Sequence, residues 1–216
     1  MKKIFQKLLF SISLLSFIEL FKLFKLSYVF GSAFTFFSIN NVFAPMVGVL
    51  ASSWVGSFFF LFKAILKFVA LRQNFWLLAA LQFPFIFAAL AWNNNKVMTI
   101  VSVLAIILFN LHPVGSASFL YSALWLIPLT ISLFSTQNIF FIALGSTFIA
   151  HAVGSIAWLY LSENLTTINW ISLIPLVLFE RIVFASGMVL IYVLYNKINI
   201  FFKDRKLAIR AILKHD

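Results

Sequence analysis

The feature that most constrains this chain is a series of apolar stretches, each near the length of a membrane crossing and each closed by a polar breaker. They cover roughly 26–40, 43–62, 75–92, 97–111, 117–134, 139–161 and 170–195. A hydrocarbon layer is about 30 Å thick and a helix rises about 1.5 Å per residue, so about 20 largely apolar residues make one crossing. The breakers are Asn40-Asn41 with Pro45, the basic 63–72 segment, Asn93 to Lys96, His112-Pro113, Ser135 to Asn138, and Ser162 to Asn169. Composition points the same way. Of 216 residues, 63% are hydrophobic and 10% charged, where a soluble domain carries roughly a quarter charged. Too few polar side chains exist to cover a water-facing surface. A soluble enzyme, a nucleic-acid-binding domain and a disordered chain are excluded, and the expectation is an all-α polytopic transmembrane helix bundle.

The formal net charge of +11 is concentrated at the two ends of the chain. Lys2, Lys3, Lys7, Lys22 and Lys25 precede the first long apolar run, and Lys197, Lys203, Arg205, Lys206, Arg210 and Lys214 follow the last. Basic residues beside membrane segments are held on the cytoplasmic side and attract anionic headgroups, which makes lipid, not nucleic acid, the expected partner. Both termini are thus expected in the cytoplasm, and the number of crossings is even. Reading 26–62 as one broken element that crosses once leaves about six spans. It also puts Lys63, Lys67 and Arg72 outside, against the positive-inside bias; the alternative keeps 63–72 inside and makes 97–111 a non-spanning segment. The organisation expected is a basic amphipathic interfacial helix over 1–25, a bundle over 26–196 and a basic cytoplasmic tail over 197–216. Lys7, Glu19, Lys22 and Lys25 interrupt the first apolar run, which argues against a cleaved signal peptide. The preference for Lys, Phe, Ile and Asn suits an AT-rich prokaryotic genome, hence a multi-pass protein of the cytoplasmic membrane. In that setting Asn164-Leu165-Thr166 is a chance match to a glycosylation acceptor.

Ionisable groups inside hydrocarbon cost roughly 2.5–3.5 kcal/mol at a helix centre on insertion scales, so those present face a cavity or a partner. Glu180 and Arg181 lie mid-span. Neighbours on a helix point about 100° apart, so each either reaches a different surface or Arg181 folds along the helix. Two readings stand: a buried ion pair that fixes packing, or charged groups lining a solute site or proton path. On the preceding span Thr147, His151, Ser155 and Trp158 share a stripe at helical spacing, beside a small-residue stripe of Ser146, Ala150 and Gly154. A His and a Trp with hydroxyls suit a small ring-bearing molecule; a structural histidine bonded to a carbonyl is the other reading. His112, before Pro113, reads as interfacial. Ala44, Gly48, Ser52 and Gly56 form a smooth ridge for helix contact, within the chain or against another protein. Asn40 and Asn41 either cap that helix or bind solute.

Enzyme constellations are missing. The chain has no Cys, three His and five acidic residues, too few for a converging metal-ligand set. His-Glu-x-x-His, Gly-x-Ser-x-Gly and phosphate-cradling glycine loops are absent. Both Asp residues lie in the C-terminal tail, which removes a paired aspartyl site. No catalysis, cofactor or metal is expected; the alternatives are a membrane-embedded enzyme acting on a lipid or isoprenoid, with His151 and Glu180 as acid and base, and a non-catalytic scaffold whose basic ends bind anionic lipid or a partner.

Chain length, about six spans, basic ends and the ridge Ala44-Gly48-Ser52-Gly56 together resemble the substrate-binding S components of energy-coupling-factor vitamin transporters. The stretch from about Leu126 to Gly187 is also similar to a group of prokaryotic membrane proteins carrying His-Ala-Val-Gly-Ser and Glu-Arg, here His151 to Ser155 and Glu180-Arg181. The first resemblance implies a ridge that contacts a transmembrane coupling subunit, with cytoplasmic ATPases supplying energy. It implies capture of a small water-soluble solute at the outer side by His151, Trp158, Thr147, Ser155, Asn40 or Asn41, and Glu180 or Arg181.

Overall fold

In a computed structural model, the described residues are 75–134, 136–161 and 166–212, with isolated positions between 46 and 69. Among these, every regular element is helical. The interfacial segment 1–25, the pair Asn40-Asn41, the ridge Ala44-Gly48-Ser52-Gly56 and Lys63, Lys67 and Arg72 lie outside the described residues.

α1 (Phe75–Trp92) and α2 (Asn95–Leu111) are joined by a tight turn. Its Asn94 does the work expected of an amide at a helix start: Oδ1 accepts the backbone N–H of Lys96 at 3.0 Å and of Val97 at 3.3 Å. α2 ends at His112, whose Nδ1 accepts the N–H of Val114 at 3.3 Å and so starts the next element. The apolar run expected as one span over 117–134 is broken. It comprises α3 (Pro113–Ala117), α4 (Phe119–Ser122), a tight 3-10 turn (Ala123–Trp125) and α5 (Leu126–Leu133). Prolines set these breaks: Pro113 opens α3, and Pro128 has no N–H for the carbonyl of Leu124, so the turn before it tightens. α6 (Ile139–Leu161) starts where Asn138 accepts the N–H of Phe140 at 2.9 Å. α7 (Thr167–Ile212) has 46 residues, about 69 Å of helix. It does not stop at 196: helix continues into the basic segment.

α6 is the central helix, packed against α1, α2, α5 and α7. Its small residues explain how closely α1 approaches. Ser146 Oγ donates to the Ala88 carbonyl across the interface at 2.9 Å, and a Cβ on Gly154 would meet Pro84 Cγ at 3.6 Å. Ala88, Ala89 and Ala91 on α1 and Ala143 on α6 are all fully buried. α7 runs antiparallel on another side of α6, with Phe184, Ala185 and Met188 gathered near Ala143, and Trp170 and Val177 near Leu159.

Among the described residues two helical stretches are long and apolar enough to cross a membrane, Ile139–Leu161 and Thr167–Lys197. Only 44% and 33% of them is buried inside the molecule, whereas the core helix of a soluble protein is mostly covered. α2 makes the same point at 17 residues. Its inner face carries Met98, Ser102, Ala105 and Phe109, while its exposed face is Ile100, Val103, Leu104, Ile107, Leu108 and Leu111. Water would not favour that exposed stripe; lipid does.

The tightest backbone approach is at Gly115, where a Cβ would lie 1.9 Å from the Phe109 carbonyl oxygen. Gly145 is also crowded, but by the flexible tip of Met98, with Sδ at 2.7 Å and Cε at 2.8 Å. Gly115→Ala is therefore expected to lose at least the upper end of the ~1–3 kcal/mol that overpacking costs, and Gly145→Ala clearly less. Melting temperature of each variant in detergent checks the order.

Candidate functional site

Glu180 and Arg181 on α7 and Thr147, His151 and Ser155 on α6 lie on two packed helices, while Gln82, Ser102 and Ser132 are buried on α1, α2 and α5. Glu180 and Arg181 are 2% and 5% exposed. Although adjacent on the helix, they pair: Arg181 Nη2 donates to Glu180 Oε2 at 3.4 Å. The length of the guanidinium arm makes this reachable. The same arm crosses to α6, where Nη1 donates to the Thr147 carbonyl at 3.3 Å, and its Cζ sits 4.8 Å from the centroid of Phe184. A charge in this setting needs an opposite charge and oriented dipoles together, and both are supplied.

One turn along α6 from Thr147 lies His151. Its Nε2 is 2.7 Å from Tyr121 Oη and 3.4 Å from Ser155 Oγ, and the two hydroxyls are 3.3 Å apart. With Nε2 as the bare ring nitrogen, the phenol donates to it. Tyr121 and Ser155 are buried, and Arg181 lies within electrostatic reach of both Tyr121 and His151. Two polar groups, one ionic and one neutral, thus share one region of the bundle.

Behind Tyr121 is a layer of aromatic rings. Phe109 stacks on Tyr121 with centroids 5.5 Å apart, and Trp125 and Trp170 each meet Phe109 edge-on at 5.2 Å. Trp170 also touches Tyr121 at 4.8 Å. α2 and α6 end at this layer and α7 begins there, so it marks the end of the bundle opposite the basic C-terminal segment.

Of the residues expected from sequence, Thr147, His151, Ser155, Glu180 and Arg181 come together here. Thr147 contributes its backbone carbonyl; its hydroxyl donates to the Leu144 carbonyl instead. Trp158 does not join them. It lies nearly two turns beyond His151, past the cluster, and is 54% exposed. His112 sits at the α2–α3 junction, edge-on to Tyr160 at 5.2 Å, and is not part of the cluster. Tyr121, Trp125 and Trp170 are the residues that sequence reasoning missed. Each sits in an apolar run and counts as apolar there, although each carries one polar atom that needs a partner when buried. Among the described residues no group of three or more His, Cys, Asp or Glu is placed to hold a metal.

Comparison of the chain with protein-family models, with curated proteins and with solved structures finds no match.

The pairing carries a prediction. Arg181→Met leaves Glu180 buried without its cation and is expected to cost about 3–5 kcal/mol. The double variant Glu180→Gln with Arg181→Met removes both charges and is expected to recover most of that loss. A double-mutant cycle on melting temperature in detergent measures it.

Proposed function

We propose that this protein is a polytopic membrane protein that binds a small polar solute as a component of a transport system, and that it is not an enzyme. The observation carrying the reading is the convergence of Glu180, Arg181, Tyr121, His151 and Ser155 within one seam of otherwise apolar helices. The Arg181 contact ties α7 to α6, but that packing role does not call for a Tyr–His–Ser cluster in the same part of the bundle. Polar groups gathered at depth in hydrocarbon are costly, and solute and ion pathways are where membrane proteins keep them.

The proposed topology is a bundle of about six spans in a prokaryotic cytoplasmic membrane, with both termini inside. The exposed apolar stripe of α2 and the two membrane-length stretches of α6 and α7 support burial in lipid. Lys197, Lys203, Arg205, Lys206 and Arg210, on the helical continuation of α7, suit the cytoplasmic side and anionic headgroups. With that end inside, the aromatic layer faces outward, the side from which a solute would arrive for uptake. In this reading the chain is of the S-component type. The ridge Ala44-Gly48-Ser52-Gly56 would meet a coupling subunit, and cytoplasmic ATPases would drive reorientation.

Mass spectrometry of small molecules released from the detergent-purified chain tests the reading. His151→Ala and Glu180→Gln are expected to reduce the co-purified compound at least tenfold, while Trp158→Ala leaves it unchanged. Retention of the compound by both site variants, or chemical turnover of it by the purified chain alone, would overturn the proposal.

A further inference from the structure

Two atoms in the aromatic layer have no counterpart in the cluster described above. Trp125 and Trp170 are 0% and 3% exposed, and the indole Nε1 of each is buried without a hydrogen-bond partner. An indole N–H is a donor only. The great majority of buried polar side-chain atoms are paired, and an unpaired donor in a low-dielectric interior is expensive to keep. The two rings that carry these donors both lie edge-on to Phe109, at interplanar angles of 83° and 87°. Both also contact Tyr121, with centroids at 6.0 Å and 4.8 Å. Tyr121 in turn carries the hydroxyl that joins His151 and Ser155. The unpaired donors therefore border the polar cluster through one shared ring.

We infer that Trp125 and Trp170 are the hydrogen-bonding recognition elements of this site, and that its ligand is a planar ring bearing carbonyl acceptors. The inference rests on the ligand-binding reading above and names its chemistry. Two donors lacking acceptors call for a ligand that brings acceptors. Phe109, Tyr121, Trp125 and Trp170 are buried against one another, so a ligand that reaches the indoles has to part these rings, and a flat ring does so with least displacement while restoring stacked or edge-on contact. Arg181, the one buried cation among the described residues, is already paired with Glu180, so a neutral carbonyl suits the region better than a second anion. This chemistry has two sources: a water-soluble heterocycle arriving from outside, or a quinone arriving from the bilayer.

The test is a thermal-shift titration of the full chain in detergent with uracil, with 1,4-naphthoquinone and with naphthalene, a flat ring lacking carbonyls. A carbonyl ring is expected to raise the melting temperature where naphthalene does not. Stabilisation by uracil assigns the source to water, and stabilisation by naphthoquinone to the bilayer. Trp125→Phe and Trp170→Phe are each expected to weaken the active probe about tenfold, the effect of one lost hydrogen bond. Because Phe is smaller, incorporation of β-(3-benzothienyl)alanine at either position keeps the ring shape while removing the N–H, and is expected to give the same loss. No shift with either carbonyl ring, an equal shift with naphthalene, or unchanged affinity in the N–H-deleted variants would overturn the inference. A co-purified compound that is lost on His151→Ala but kept by both tryptophan variants would sink this inference and leave the solute-binding reading standing. A chain that keeps naphthoquinone through its indoles but releases no water-soluble compound would do the reverse.

Discussion

A guanidinium held away from water dictates much of this structure. Arg181 is always charged at ordinary pH, and in a medium of low dielectric it must be met by an anion and by dipoles fixed in place. Glu180 supplies the anion from the next position on α7, and the Thr147 carbonyl supplies a dipole from α6. The second contact ties the register of α7 to that of α6. It brings Phe184, Ala185 and Met188 near Ala143, and Val177 and Trp170 toward Leu159. The turn of α6 that carries His151 and Ser155 is thereby held beside α7.

Against this ionic contact works a second constraint, the near absence of side chain at the α1–α6 interface. Ala88 and Pro84 on α1 face Ser146 and Gly154 on α6, so the backbones approach closely enough for a side-chain hydroxyl to reach a carbonyl of the neighbouring helix. In lipid no hydrophobic drive pulls helices together, and close packing with interhelical hydrogen bonds has to do it. α6 therefore meets one neighbour through small residues and another through charge. Apolar residues fill the described interior, as in a soluble protein, but Ile, Leu, Val and Phe also cover much of the described outer surface.

Much of the architecture was legible in the sequence because the relevant signals are local. The polar breakers Asn93 to Lys96 and Ser135 to Asn138 fall at observed helix boundaries, where Asn94 and Asn138 accept backbone N–H groups of the helices that follow. The small-residue repeat in 146–154 marked a close helix contact because spacing of four residues fixes a face whatever the partner is. Other features were not legible. The span expected over 117–134 is broken by the effect of Pro128 on the preceding turn, which hydropathy does not register. The pairing of Glu180 with Arg181 depends on how the arginine arm bends, and helical angles alone set the two residues apart. Trp158 shares a stripe with His151 by angle, yet it is exposed, because distance along the axis matters as much as angle around it.

The sequence by itself determined that the described chain is helical, that apolar residues would cover its long segments, and which few ionisable groups would be embedded among them. These follow from composition and from periodicities shorter than one helix. Only the tertiary structure decided that Tyr121 would meet His151 and Ser155, that Arg181 would reach Thr147, and that the indoles of Trp125 and Trp170 would both be buried against Phe109 and Tyr121. The first two sets of contacts join residues about 30 or more positions apart, and no local pattern encodes the rotation and register with which separate helices are packed.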